Sequence, residues 1–137
     1  MVNIFTYGTL MFEEIWSRVV AGEYDKTPAI LNGYDRKLAR NEIYPVLFPS
    51  TDLSLVEGTV YINVTDADLD KLDTFEGEYF YRQPAKALVR EATELPVEAY
   101  VLKEEFYSVI SHQDWDPALF SVDAIKLFLK KYTGLSQ

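Results

Sequence analysis

The stretch Ile4-Phe5-Thr6-Tyr7-Gly8-Thr9-Leu10 is an extended apolar run that breaks at a glycine just before a helical pattern begins. Glycine has no Cβ, so the chain can turn sharply there and approach a bound group closely. The first turn of a helix leaves backbone N–H groups without intrahelical partners, and such a junction can hold a ligand through its main chain. Tight strand-to-helix turns also use glycine for geometry alone. A second stretch answers this one: Leu72-Asp73-Thr74-Phe75-Glu76-Gly77 sets a carboxylate between an aromatic residue and a glycine, in a chain with few other candidates for chemistry.

Upstream and downstream of the turn, the periodicity predicts the remaining elements. Val2 to Tyr7 form a short buried strand. Met11, Phe12, Ile15, Trp16, Val19 and Val20 recur at helical spacing until Gly22 supplies a stop, which predicts an amphipathic helix of about three turns. Strand-like runs follow at Ala29 to Leu31, Tyr34 to Ala39 and Val46 to Phe48, punctuated by Asn32-Gly33, Pro45 and Pro49. Leu55 to Val64 is filled with β-branched and aromatic residues, and Gly58 within it marks a bulge or a close approach of another backbone.

Thr65 followed by Asp68 resembles a capping box with Asp in place of Glu, opening a helix whose Leu69 and Leu72 face inward. Tyr79 to Val89 and Val97 to Leu102 read as strands, with Glu98 outward. Ser121 caps a last helix with Val122, Ile125, Leu129 and Tyr132 on one face, and Lys126, Lys130 and Lys131 suit its negative C-terminal end. Strands outnumber helices and do not alternate with them regularly. The expected fold is therefore α+β, a single domain over residues 1–137, with a small mixed and largely antiparallel sheet curled into a β-barrel and helices packed outside.

Composition removes whole classes of function. A chain of 137 residues that is 48% hydrophobic can bury a core without disulfides or metal. The absence of cysteine excludes thiol catalysis, zinc-thiolate sites and a disulfide framework. Twenty-two acidic against 13 basic side chains give a formal charge of -9, which repels nucleic acid and anionic membranes. No basic region leads into a long apolar segment, and no run approaches the roughly 20 apolar residues of a membrane span. The expectation is a soluble, cytoplasmic protein without nucleic acid or membrane partners.

Three other candidates have structural explanations. Asp66-Ala67-Asp68-Leu69-Asp70 imitates the start of a calcium loop, but Lys71 stands where such a loop needs glycine and Gly77 where it needs a bidentate glutamate. Acids at the positive end of a helix suffice, so no metal site is expected. The single histidine, His112, lies in the polar segment Ser111 to Pro117 and reads as a solvated loop residue. Glu78 lies too near Glu76 for both carboxylates to face one site easily, so one of the two is read as solvent-facing. Glu76 is different in kind: beside Phe75 at a helix-to-strand junction, an aromatic wall can desolvate its carboxylate and raise its proton affinity into the range of a general base.

Together, Tyr7-Gly8-Thr9-Leu10 and Leu72-Asp73-Thr74-Phe75-Glu76-Gly77 resemble the γ-glutamylcyclotransferase superfamily, in particular its AIG2-like and γ-glutamylamine cyclotransferase branch. Asn32-Gly33-Tyr34, Tyr44-Pro45, Glu57-Gly58-Thr59-Val60-Tyr61, Glu98-Ala99-Tyr100-Val101 and Trp115-Asp116 also fall where AIG2-like sequences carry similar residues, so the resemblance covers most of the chain. It implies a small mixed β-barrel with flanking helices. It also implies a reaction in which the α-amino group of a small γ-glutamyl compound attacks its own γ-carbonyl, releasing 5-oxoproline and an amine or amino acid. In that reaction Glu76 corresponds to the general base, and Tyr7, Gly8, Thr9 and Leu10 to the substrate-binding loop, with no metal or organic cofactor.

Family members commonly carry a Tyr-x-Arg shortly after the glutamate. Here Tyr79-Phe80-Tyr81-Arg82 leaves the corresponding tyrosine open. The alternative function is a small-molecule or protein-binding module that keeps the barrel and pocket without turnover. If main-chain amides hold the ligand, side-chain changes at Leu10 are expected to be mild and Gly8→Val severe.

Overall fold

A computed structural model describes residues 1–51, 53–90, 93–120 and 122–132. Among the described residues there are seven strands: β1 (Val2–Thr6), β2 (Lys26–Asn32), β3 (Tyr34–Leu38), β4 (Pro45–Pro49), β5 (Leu55–Val64), β6 (Phe80–Val89) and β7 (Thr93–Leu102). Three α-helices, α1 (Glu13–Val19), α2 (Asp66–Glu76) and α3 (Val122–Tyr132), are joined by short 3₁₀ turns at Thr9–Met11, Glu104–Val109 and Pro117–Leu119. Five strands close a barrel in the order β1-β5-β2-β6-β7, while β3 and β4 form a separate antiparallel pair. Every barrel pair is antiparallel except the seam, where β1 runs parallel to β7 with Ile4 opposite Glu98 and Phe5 opposite Ala99. The expected mixed barrel with flanking helices is the observed fold.

A barrel of five strands is narrow, and the side chains inside it are sized accordingly. Phe5 and Tyr7 enter from β1 and its end, and they are surrounded by Ala29, Ala87, Ala99, Val60 and Val101. Gly58 makes room for them: a Cβ there would lie 2.1 Å from the Thr6 carbonyl oxygen and 2.7 Å from the Phe5 ring. Of the two readings of Gly58, close backbone approach is the correct one. The bulge lies further on, where β1 pairs Val2 with Val64 but Ile4 with Tyr61, and Asn63 takes a left-handed φ of 55°.

Outside the barrel a second apolar layer joins Ile4, Tyr61, Val64 and Tyr100 to Ile15 and Trp16 of α1, Leu69 and Leu72 of α2, and Phe128 of α3. Trp16 stacks on Tyr61 with ring centroids 3.6 Å apart. The first helix departs from its predicted length. Instead of one helix ending at Gly22, a 3₁₀ turn leads into α1 through an extended Phe12, and Val20 already leaves the helical region with ψ 155°. The expected Thr65 cap is present, its hydroxyl accepting from the Asp68 amide. Asp68 does not complete the box, however: it is buried and turns toward the Ala21 and Gly22 amides and the Tyr24 hydroxyl. The predicted cap at Ser121 and the side chains of Val122 and Tyr132 lie outside the described residues. Among the described residues no helix is long and apolar enough to cross a membrane.

Candidate active site

The barrel topology brings the two sequence motifs to one end. Antiparallel pairing sets Phe80, at the start of β6, opposite Leu102 at the end of β7, and the parallel seam carries the end of β1 alongside the same part of β7. Helix α2 feeds into β6 through Gly77, whose φ of 79° is left-handed and reverses the chain. Glu76, the last residue of α2, therefore arrives beside the turn that leaves β1. A cavity of about 330 Å³ opens between them, lined by Tyr7, Gly8, Thr9, Leu10 and Glu76 together.

The turn is built as a row of donors. Met11 and Phe12 amides close the 3₁₀ turn on the carbonyls of Gly8 and Thr9, at 3.0 and 3.1 Å. The amides of Gly8, Thr9 and Leu10 donate to no group among the described residues. Gly8 has a packing reason for being glycine, since a Cβ would meet the Pro45 ring at 2.7 Å. The Leu10 side chain is 4% exposed and belongs to the outer core, and its carbonyl accepts from the Tyr61 hydroxyl at 3.3 Å. The side chain packs as core although the residue also lines the cavity, so changes at Leu10 bear on the stability of the fold as well as on the ligand.

Glu76 is half-buried, with Phe75 and Tyr100 among its neighbours in the cavity wall. Its carboxyl is pushed up to about 8, first by burial and then by the negative charge of Asp73 one helical turn earlier. The Tyr7 hydroxyl donates to the Tyr100 carbonyl oxygen at 2.7 Å, and its ionisation is driven well above the ordinary range by burial and then by the Glu76 charge. Both tyrosine and carboxyl thus favour their neutral, proton-bearing forms. Glu78 is exposed, as the solvent-facing partner, yet it also borders the cavity, because Gly77 breaks the helix between the two acids.

A family model described as γ-glutamyl cyclotransferase, AIG2-like, matches residues 4–117. The chain belongs to this family. Among curated relatives, Protein AIG2 C of Arabidopsis thaliana is 31% identical over 100 residues, covering 72% of this chain. The chain spans 60% of the length of that relative. A solution structure of an Arabidopsis thaliana protein is similar with a TM-score of 0.72 at 25% identity, covering 98% of this chain and 81% of that one. A structure titled γ-glutamyl cyclotransferase has a TM-score of 0.66 at 15% identity, over 96% of this chain and 79% of that one.

Several features of this AIG2-like chain were not assigned from sequence. Glu42, Tyr44 and Pro45, from the connection between β3 and β4 and the start of β4, wall one side of the cavity, and Glu42 pairs with Lys131 of α3 at 2.9 Å. Tyr79 borders the cavity, whereas Tyr81 lies beside Arg82 in a neighbouring polar depression. Tyr100 lines the cavity and supports Tyr7 with its carbonyl. The stretches Tyr44-Pro45 and Glu98 to Val101 carried the family resemblance and were the available signal. His112 is exposed in its loop.

Proposed function

We propose that the chain is a γ-glutamylcyclotransferase acting on a small γ-glutamyl compound, with Glu76 as general base. The observation that carries this reading is a desolvated carboxyl sharing a cavity of small-molecule size with the amides of Gly8 to Leu10, which donate to none of the described residues. A γ-glutamyl donor has an α-ammonium group that must lose a proton before its nitrogen can attack. That nitrogen sits beside a free α-carboxylate, so it holds its proton more tightly than a chain-terminal amine, which titrates at about 8. Glu76, pushed up to about 8, is a stronger base than an ordinary carboxylate, so taking that proton costs less than it would at an unperturbed glutamate.

The amine then attacks the γ-carbonyl carbon, and the oxygen of the tetrahedral intermediate carries the negative charge. Amides at the turn are suited to an oxyanion or to the α-carboxylate, neither of which finds a lysine or arginine among the cavity-lining residues. As the carbon–nitrogen bond to the leaving amine breaks, the Glu76 carboxyl returns its proton to that nitrogen. The products are 5-oxoproline and a free amine or amino acid. Because the ring closes within one molecule, holding the glutamyl arm folded supplies much of the rate. The chemistry calls for no metal or cofactor, and residues 1–137 are taken as one domain working in the cytoplasm.

The test is release of 5-oxoproline from a panel of γ-glutamyl amino acids, γ-glutamylamines and glutathione. Glu76→Gln is expected to lower turnover by about 10²- to 10⁴-fold with little change in 5-oxoproline binding. No release from any donor at micromolar protein, or full turnover by the variant, overturns the reading.

A further inference from the structure

The face of α2 that carries Glu76 carries a second carboxylate one turn earlier, and the fold treats the two very differently. Asp73 accepts a hydrogen bond from the Tyr100 hydroxyl at 2.6 Å and two from Arg82, Nε at 2.8 Å and Nη2 at 3.2 Å. Arg82 Nη1 then donates to Glu98 on the adjacent strand at 2.7 Å. Among the described residues no donor reaches the Glu76 carboxylate. One carboxylate is saturated with donors and the other faces an apolar-walled cavity. Where neighbouring acids have environments that differ in this way, the pair divides into a fixed charge and a proton carrier.

The groups facing Glu76 come from every wall. Tyr7 is contributed by the end of β1, Glu42 and Tyr44 by the β3–β4 connection, Glu78 and Tyr79 by the segment after α2, and Tyr100 by β7. Asp73 is the acid among its surroundings that acts on Glu76 most directly, second only to burial. Arg82 does not line the cavity and reaches Glu76 only by way of Asp73.

We propose that Asp73, held by Tyr100 and Arg82, is a positioning residue that fixes a negative charge one helical turn from Glu76 and so keeps the Glu76 carboxyl a proton carrier. The inference rests on the reading of Glu76 as the base. The strand pair β6–β7 supplies the holding groups, so the barrel itself sets the balance: Asp73 opposes ionisation of Glu76, and Arg82 moderates Asp73. Removing the two charges must therefore move Glu76 in opposite directions. A purely structural role for the network makes no such demand.

The experiment is a carboxyl-carbon NMR titration of protein labelled at glutamate, with the Glu76 signal identified by its loss in Glu76→Gln. Asp73→Asn is expected to lower the Glu76 midpoint by about one pH unit, and Arg82→Gln to raise it. The acidic limb of kcat/KM should move with each midpoint. If both variants leave the midpoint where it is in the wild type, or both move it the same way, the proposal is overturned. Should Asp73→Asn fail to fold, as seen by circular dichroism, the upward movement in Arg82→Gln decides alone. If the midpoints move in opposite directions while the wild-type protein releases no 5-oxoproline, the role of Asp73 stands and the reading of Glu76 as a catalytic base falls.

Discussion

Arg36 Nη1 donates to the carbonyl oxygen of Tyr7 at 2.8 Å, holding from behind the residue that enters the Gly8 turn. The same nitrogen reaches the Glu57 carbonyl at 3.1 Å, and the guanidinium lies over the Trp115 ring, 5.3 Å from its centroid. Tyr7 is thus fixed at both ends, its carbonyl by Arg36 and its hydroxyl by the Tyr100 carbonyl. Arg36→Lys keeps the charge but loses the planar group that stacks and bonds together. It should weaken 5-oxoproline binding by about tenfold, equivalent to about 1.4 kcal/mol. Calorimetric titration of the variant checks this, with wild-type affinity refuting a role for Arg36 in shaping the turn.

Two glycines and one leucine test what the turn is made of. A Cβ at Gly58 would collide with backbone, the Thr6 carbonyl at 2.1 Å, whereas at Gly8 it would meet the Pro45 ring at 2.7 Å. Backbone inside a closed barrel yields less readily than a proline ring at its mouth. Gly58→Ala should therefore cost more than Gly8→Ala, about 3 kcal/mol against about 1–2. Leu10→Ala removes a core side chain and should cost about 2–4 kcal/mol. Urea denaturation of the three variants ranks them, and a Leu10→Ala protein as stable as wild type would show that this side chain contributes nothing to the core.

The strands were legible because each carries its own alternation or β-branched run: Leu55 to Val64 was bounded correctly from residue types alone. The pairing of the Gly8 turn with Glu76 was legible from two local motifs and their resemblance to one family. What was hidden depends on register. Arg82 meets Asp73 only because β6 follows α2 and pairs with β7, and no spacing in sequence announces that Tyr100 will deliver a hydroxyl to the same carboxylate. The first helix is shorter than its periodicity predicts because Met11 belongs to the 3₁₀ turn and Phe12, in the same period, is extended between that turn and α1. In sequence Asp68 is one of three acids at a helix end, yet only this one of the three is buried.

Asp68 supplies the next prediction. It accepts from the Ala21 and Gly22 amides, both at 3.0 Å, and from the Tyr24 hydroxyl at 2.5 Å, tying the loop after α1 to the start of α2. Burial alone would raise its carboxyl, but the bonds from Ala21, Tyr24 and Gly22 outweigh burial and hold it below the ordinary value. A group lowered on folding stabilises the fold above its unfolded value, and that contribution is lost as pH falls through the folded value. Asp68→Asn should cost about 2–3 kcal/mol at pH 7, since an amide presents donors to donors. The deficit should shrink below about pH 4. Thermal unfolding of both proteins at the two pH values measures it, and a deficit independent of pH would assign Asp68 a role in shape alone.

Glu76 works in the opposite sense. Its carboxyl lies at about 8 in the folded protein against 4.5 ordinarily, so the native state holds a proton that the unfolded chain gives up. Stability therefore falls as pH rises between those two values, by up to about 1.4 kcal/mol per pH unit. Glutamine has no proton to lose and escapes this penalty. Glu76→Gln should be more stable than wild type, and its advantage should grow from pH 6 to about pH 8 and then level off. Over the same range the wild-type kcat/KM should climb about tenfold per pH unit to a plateau near pH 8, because the base must be ionised to act. The site gains activity where the fold loses stability, and both curves report one carboxyl. Chemical denaturation of the two proteins across the pH series, run beside the rate profile, tests the link. A glutamine variant whose advantage stays constant with pH would show that Glu76 is ionised across the whole range and has an ordinary proton affinity.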